Sequence, residues 1–299
     1  MPKPPPNPPL LPALLRLMRP HQWVKNGFVL APAFFSGQLG LPHVWMHSLL
    51  AVFTFCLLSS AIYVLNDWHD APQDRLHPKK KLRPLAAGHV PPTQAALLLL
   101  ALLVAVAGLG VLLDLPPLGW GLLATYALVN VAYSFYLKQV PVLEWFVLSS
   151  GFVLRLMFGA AVLGVVLSPW IQLCTWLVAM MLVVGKRRGD LAADEKTAAA
   201  KRPVLQHYTV FYLDAVNLIL ATATFTCFTL FCVSDYAVSR FGEPVLLAAP
   251  LVLFGLLDYL RLVHVLGKGD DPTELVLKER SLQLCLLLFA LLFGGLLYG

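Results

Sequence analysis

Residues 45–74 read WMHSLLAVFTFCLLSSAIYVLNDWHDAPQD, and the next ten are RLHPKKKLRP. An apolar run of about twenty residues is long enough to cross a bilayer as a helix. This one passes straight into three carboxylates, Asp67, Asp70 and Asp74, and then into Arg75, Lys79, Lys80, Lys81 and Arg83. The same alternation repeats along the chain, with apolar runs at roughly 26–41, 45–65, 94–114, 117–137, 141–165, 168–185, 210–233, 244–264 and 281–298. Of the 299 residues, 59% are hydrophobic and 13% charged. A soluble domain carries about a quarter charged residues, so a soluble fold is excluded. The expectation is an all-α integral membrane protein of about nine transmembrane helices around a central cavity. It would form one domain over residues 21–299, after a flexible proline-rich arm over 1–20. That arm, opening MPKPPPNPPLLPALL, lacks the pattern of a secretory signal.

The cations fix an orientation. With the N-terminus inside, the segments 1–25, 66–93, 138–140, 186–209 and 265–280 hold nearly every lysine and arginine. The outside segments hold Arg240 alone, and Arg155 lies within a span. By the positive-inside rule the N-terminus is cytoplasmic and the C-terminus outside, in the cell's inner (plasma) membrane. Cations that hug spans in this way make the membrane itself the partner, and no nucleic acid is expected. The cysteines Cys56, Cys174, Cys227, Cys232 and Cys285 all fall in apolar runs with no CxxC pair, and read as small buried hydrophobes.

Asp67, Asp70 and Asp74 are spaced three and four apart, which puts them on one helical face. They lie where a span ends. Asp190 and Asp194, in GKRRGDLAADEK, repeat the spacing of four after a later span, on the same side. Carboxylates are natural ligands of Mg2+, which keeps waters and recruits substrate phosphates. Asn66 adds an amide oxygen. Two acidic faces at one membrane depth can clamp a metal–diphosphate, with Lys79–Arg83 and Lys186–Arg188 placed to hold phosphate oxygens.

NDWHDAPQD fits the NDxxDxxxD motif, and DLAAD the DxxxD motif, of the UbiA superfamily of intramembrane prenyltransferases, which this chain resembles over nearly its whole length. RPHQWVKN (19–26), DRLHPKKKLRPLAAG (74–88), YSFYLKQVPVLE (133–144), GKRRGDL (185–191) and GDDPTELVLKER (269–280) are similar to its decaprenyl-phosphate phosphoribosyltransferase branch. The resemblance implies transfer of 5-phosphoribose from phosphoribosyl pyrophosphate to a polyprenyl phosphate, with Mg2+ and release of diphosphate. It implies that Asp67, Asp70, Asp74, Asp190 and Asp194 hold the metal and are catalytic. Asn66 would assist the aspartates at the substrate diphosphate, Lys80, Arg83, Lys186 and Arg187 would bind donor or acceptor phosphates, and Lys25 and Lys138 the lipid phosphate. Tyr133 is a further substrate-binding candidate. Arg155, a charge inside a span, either reaches the site or pairs with a buried acid such as Glu144 or Asp214. Two rival readings remain: a prenyltransferase of the same fold acting on an aromatic acceptor, and a transporter of an anionic solute.

Overall fold

The structure, a computed structural model, describes residues 9–76, 80–193, 203–268, 275–276 and 278–299. Its helices are α1 (Leu10–Met18), α2 (Ala31–Phe35), α3 (Pro42–Asp74), α4 (Pro92–Leu112), α5 (Pro117–Phe135) and α6 (Leu143–Leu163). They continue with α7 (Pro169–Ala193), α8 (Val210–Cys232), α9 (Asp235–Phe241), α10 (Ala248–Leu260) and α11 (Arg280–Tyr298). Among the described residues, eight helical stretches are long and apolar enough to cross a membrane: α3 to α8, Glu243–Val265 and α11. Pro42, Pro92, Pro117 and Pro169 each start their helix, where a missing N–H goes unnoticed. Thr209 caps α8 by accepting from the Tyr212 N–H.

The segment expected as the first span is built differently. Pro20–Leu30 is a 3-10 helix that leads into the short α2. Pro32, at the start of α2, has no N–H to bond back into the preceding turn. The expected arm is also shorter than residues 1–20. Leu10–Met18 form a helix that packs on α3, with Ala13 and Leu17 buried in the core. Their spacing of four gives α1 an apolar face to dock. Residues 1–8 lie outside the described residues.

Three apolar cores are packed among the described residues. One gathers α1, α3, α4, α5 and part of α6; a second gathers α7, α8 and α10 with Trp145 of α6; a third gathers the end of α8, α9, the start of α10 and Phe293 of α11. The ring of helices closes through aromatics at the end away from the acidic motifs. Phe35 meets Phe293 edge-to-face at 5.5 Å, and the Tyr298 hydroxyl donates to the Phe34 carbonyl at 2.8 Å. Gly159 serves helix packing: any Cβ there would overlap the Val29 carbonyl oxygen, so α6 meets Pro20–Leu30 closely.

α3 matters most for function. Its 33 residues make it about 50 Å long, whereas the hydrocarbon core is about 30 Å thick. Its last turns, from Asn66 to Asp74, therefore project past the hydrocarbon. The last turns of α7, from Lys186, end at the same face of the bundle.

Candidate active site

Asp67 is 2% and Asp74 3% exposed, and both face cations rather than lipid. Arg83 Nη1 sits between them, 3.1 Å from Asp67 Oδ1 and 2.7 Å from Asp74 Oδ2. Arg19 Nη2 donates to the same Asp67 oxygen. Lys80 Nζ lies 4.0 Å from Asp74 Oδ1. Asp70, half-buried, pairs with Lys138 Nζ at 3.4 Å. Three carboxylates on one helical face repel one another, and these four cations from three other segments offset that repulsion. Arg19 reaches the cluster from an unusual backbone: its φ is 55°, the left-handed region, and its guanidinium rests 4.9 Å over the Tyr63 ring. That turn separates α1 from Pro20–Leu30 and aims the side chain at α3.

The end of α5 ties the first motif to the second. Ser134 Oγ donates to Asn66 Oδ1 at 2.7 Å. The neighbouring Tyr133 hydroxyl accepts from Arg187 Nη2 at 3.4 Å. Arg187, on α7, makes a two-pronged pair with the fully buried Glu144 of α6, at 2.9 and 2.8 Å. Its Nη1 lies 3.5 Å from Asp190 Oδ2. Arg187 is thus held by its neighbours and 2% exposed, a clasp between helices more than an open phosphate arm. Arg188 clasps the other side, donating to Asp214 Oδ1 at 3.0 Å and to the Val263 and His264 carbonyls.

The start of α6 that carries Glu144 is strained. Val142 has φ 66° and ψ −51°, and the Leu143 N–H donates to the Pro141 carbonyl at 2.7 Å. That is a γ-turn forced on a β-branched residue, at a cost of about 1–3 kcal/mol. The Val142 N–H is held by the Tyr208 hydroxyl at 2.7 Å. Burial pushes that hydroxyl up to about 12, so it stays protonated.

Of the other expected site residues, Lys186 and Lys25 are half-buried near the same face. Asp194 and Lys79 lie outside the described residues. Arg155 pairs with neither Glu144 nor Asp214, which are taken by Arg187 and Arg188. It donates instead to Asn26 Oδ1, the Gly151 carbonyl and the Tyr126 hydroxyl at 2.8–2.9 Å. Phe55, Tyr126 and Phe152 present ring faces to it within 5.6 Å. Neutral acceptors and π-faces satisfy this cation, and no contact ties it to the aspartates, so it meets neither of the two expectations. Sequence reasoning counted Arg19 only as an orienting charge and passed over Ser134. Neither residue type signals a site; the quoted RPHQWVKN was the one available pointer to Arg19.

The donors are hard oxygens. Asp67 and Asp74 already converge on a single cationic group, which makes the set suitable for a divalent ion of the Mg2+ type. Among the described residues, no three His, Cys, Asp or Glu side chains form a metal cage. An ion here would complete its shell with water and substrate phosphate.

The UbiA prenyltransferase family model matches residues 27–277. The chain belongs to the UbiA prenyltransferase family. Its relatives within that family include the decaprenyl-phosphate phosphoribosyltransferase of Mycolicibacterium smegmatis, 33% identical over 99% of this chain and 95% of that protein. The Corynebacterium glutamicum protein of the same name is 32% identical over 94% of this chain and 85% of that protein. In fold, the chain matches a UbiA homologue from Archaeoglobus fulgidus, solved with GPP and Mg2+. The TM-score is 0.71 at 18% identity, over 96% of this chain and all of that one. Like other UbiA proteins, this chain is a multi-pass membrane transferase.

Proposed function

We infer that this UbiA-family enzyme transfers 5-phosphoribose from phosphoribosyl pyrophosphate to the phosphate of a long polyprenyl phosphate, releasing diphosphate. The observation that carries this reading is the surplus of cations around the three aspartates. Arg19, Lys80, Arg83 and Lys138 all reach Asp67, Asp70 or Asp74. A donor with a diphosphate and a 5-phosphate, meeting an acceptor with its own phosphate, needs more positive charge than an aromatic acceptor does. The near full-length similarity to phosphoribosyltransferases supports the same choice.

In this reading Asp67, Asp70 and Asp74, assisted by Asn66, and the second motif's Asp190 and Asp194 serve the metal-bound diphosphate. Mg2+, when bound, neutralises the leaving diphosphate. Arg83 and Lys80 orient phosphate oxygens, and Lys138 receives the acceptor's phosphate. Lys25 and Lys186 flank the same polar face, while Tyr133 and Arg187 hold the second motif in register. The bond from ribose C1 to the diphosphate oxygen breaks as an acceptor phosphate oxygen bonds to C1. The transition state is oxocarbenium-like, and the electron pair leaves on diphosphate. The nucleophile is already an anion, so no general base is required. The N-terminus and the site face the cytoplasm, where the soluble donor is found.

Calorimetry on protein in lipid nanodiscs tests the donor. Phosphoribosyl pyrophosphate is expected to bind with Mg2+, to lose binding after chelation, and to lose it in Asp67→Asn. Heat from a prenyl diphosphate, with none from phosphoribosyl pyrophosphate, would replace this reading with prenyl transfer.

A further inference from the structure

Two apolar grooves on the outer face of the bundle meet at a single small residue. One, of about 420 Å3, lies between α5 and α6 and runs past Leu137, Ala132, Leu128 and Phe146 to Ser150. The other, of about 400 Å3, lies between α6 and α7 and runs from Ser150 past Trp176 and Leu173 to Pro169. Both volumes fall in the range of ligand pockets. Leu128, Phe146 and Leu173 are exposed, and at these depths of a multi-pass protein an exposed side chain meets lipid.

The grooves adjoin along α6 and share Ser150. α6 starts at the face that carries the acidic motifs, and Ser150 is seven residues along it, about 10 Å deep. Pro169, at the start of α7, lines the second groove together with Val153, which lies about 15 Å along α6 from its start. Joined end to end, the grooves run from the motif face to about the middle of the hydrocarbon. Ser150 is the low point between them. Its hydroxyl is spent on the Val147 carbonyl at 2.7 Å, so it presents a small, satisfied side chain. On either side stand Phe146 and Trp176, in edge-to-face contact at 5.4 Å, with the Trp176 indole N–H fixed on Ser149 Oγ at 2.7 Å.

The motif end of the track carries charge. Leu137 lines it, and the next residue is Lys138, 3.4 Å from Asp70. A phosphate received at Lys138 leaves its hydrocarbon tail at Leu137, in the mouth of the groove. We propose that this track binds the tail of the long polyprenyl phosphate acceptor, which enters at Leu137 and continues over Ser150 into the second groove. The proposal rests on the functional reading above. A short prenyl tail ends within the first groove, whereas a long one gains the second groove's apolar contact by crossing. Ser150 thereby sets a preference for long acceptors.

Rates with farnesyl phosphate and decaprenyl phosphate test this in the full-length enzyme. Ser150→Trp fills the crossing, and Leu173→Trp narrows only the far groove. Each is expected to lower the ratio of kcat/KM for the long acceptor over the short one about tenfold, a shift of 1.4 kcal/mol. A second readout needs no turnover: a decaprenyl phosphate with a diazirine at its far end is photolysed on the wild type. Label is expected on residues 169–176 and is expected to vanish in Ser150→Trp. Transfer to both acceptors with an unmoved ratio in both variants, or label on α2 or α11 instead, overturns the track alone. Label at 169–176 without phosphoribosyl transfer to either acceptor supports the track and overturns the functional reading.

Discussion

Arg83 shares one nitrogen between Asp67 and Asp74, and its loss leaves two buried carboxylates facing each other. Arg83→Ala is expected to lower the transfer rate about 100-fold, the scale on which a preorganised charge contributes to a transition state. Arg83→Lys keeps the charge but has no fork to bridge two oxygens, so steady-state rates are expected to place it between the two. A rate for Arg83→Ala equal to wild type would remove Arg83 from the site. The buried pair of Glu144 and Arg187 behaves otherwise. Arg187→Ala strands a carboxylate in the interior and is expected to cost about 3–5 kcal/mol of stability. Thermal unfolding in detergent measures it. The double variant Glu144→Met with Arg187→Met is expected to recover most of that loss while leaving activity low, because Asp190 and Tyr133 lose their shared partner. Such residue-level partners were only half legible in the sequence. Spacing put Asp67, Asp70 and Asp74 on one face because helical geometry is local. Glu144 and Arg187 are 43 positions apart, and no local pattern pairs them. Arg155 reads in sequence as a charge that reaches the site or pairs with an acid, yet neutral oxygens and ring faces satisfy it.

At the scale of elements, the long helices were legible because length and apolarity are enough to define them. The first segment was not: the run over 26–41 is the end of a 3-10 helix followed by the short α2, with Pro32 at its start. Close helix contacts are likewise invisible until glycines are seen in place. A Cβ at Gly185 would overlap the Tyr259 hydroxyl, so α7 and α10 meet at that point. Gly185→Ala is expected to destabilise by about 1–3 kcal/mol, as overpacking does. Adding Tyr259→Phe removes the clashing oxygen and gives up only a long contact, 3.5 Å, to the Met181 carbonyl. The double variant is therefore expected to melt above Gly185→Ala alone; an equal or lower melting temperature would mean that the helices do not approach there.

At the scale of the whole molecule, two acidic motifs some 120 residues apart in sequence end at one face because α3 and α7 are both longer than the hydrocarbon needs. Their shared contacts with the end of α5 bring them together. Cation placement along the chain predicts that this face is cytoplasmic. Ser239→Cys, exposed near the opposite end, is expected to react with an impermeant maleimide on intact cells. Lys81→Cys is expected to react only after the membrane is opened, and the reverse pattern would invert the topology. The account's central claim is the chemistry at that face. The direct measurement mixes purified enzyme, Mg2+, decaprenyl phosphate and phosphoribosyl pyrophosphate labelled in the ribose, and follows label into the organic phase. The account predicts lipid-linked label that disappears with chelator and with Asp70→Ala. Absence of that label, with a prenyl group instead moving from a prenyl diphosphate to an aromatic acceptor, would contradict it.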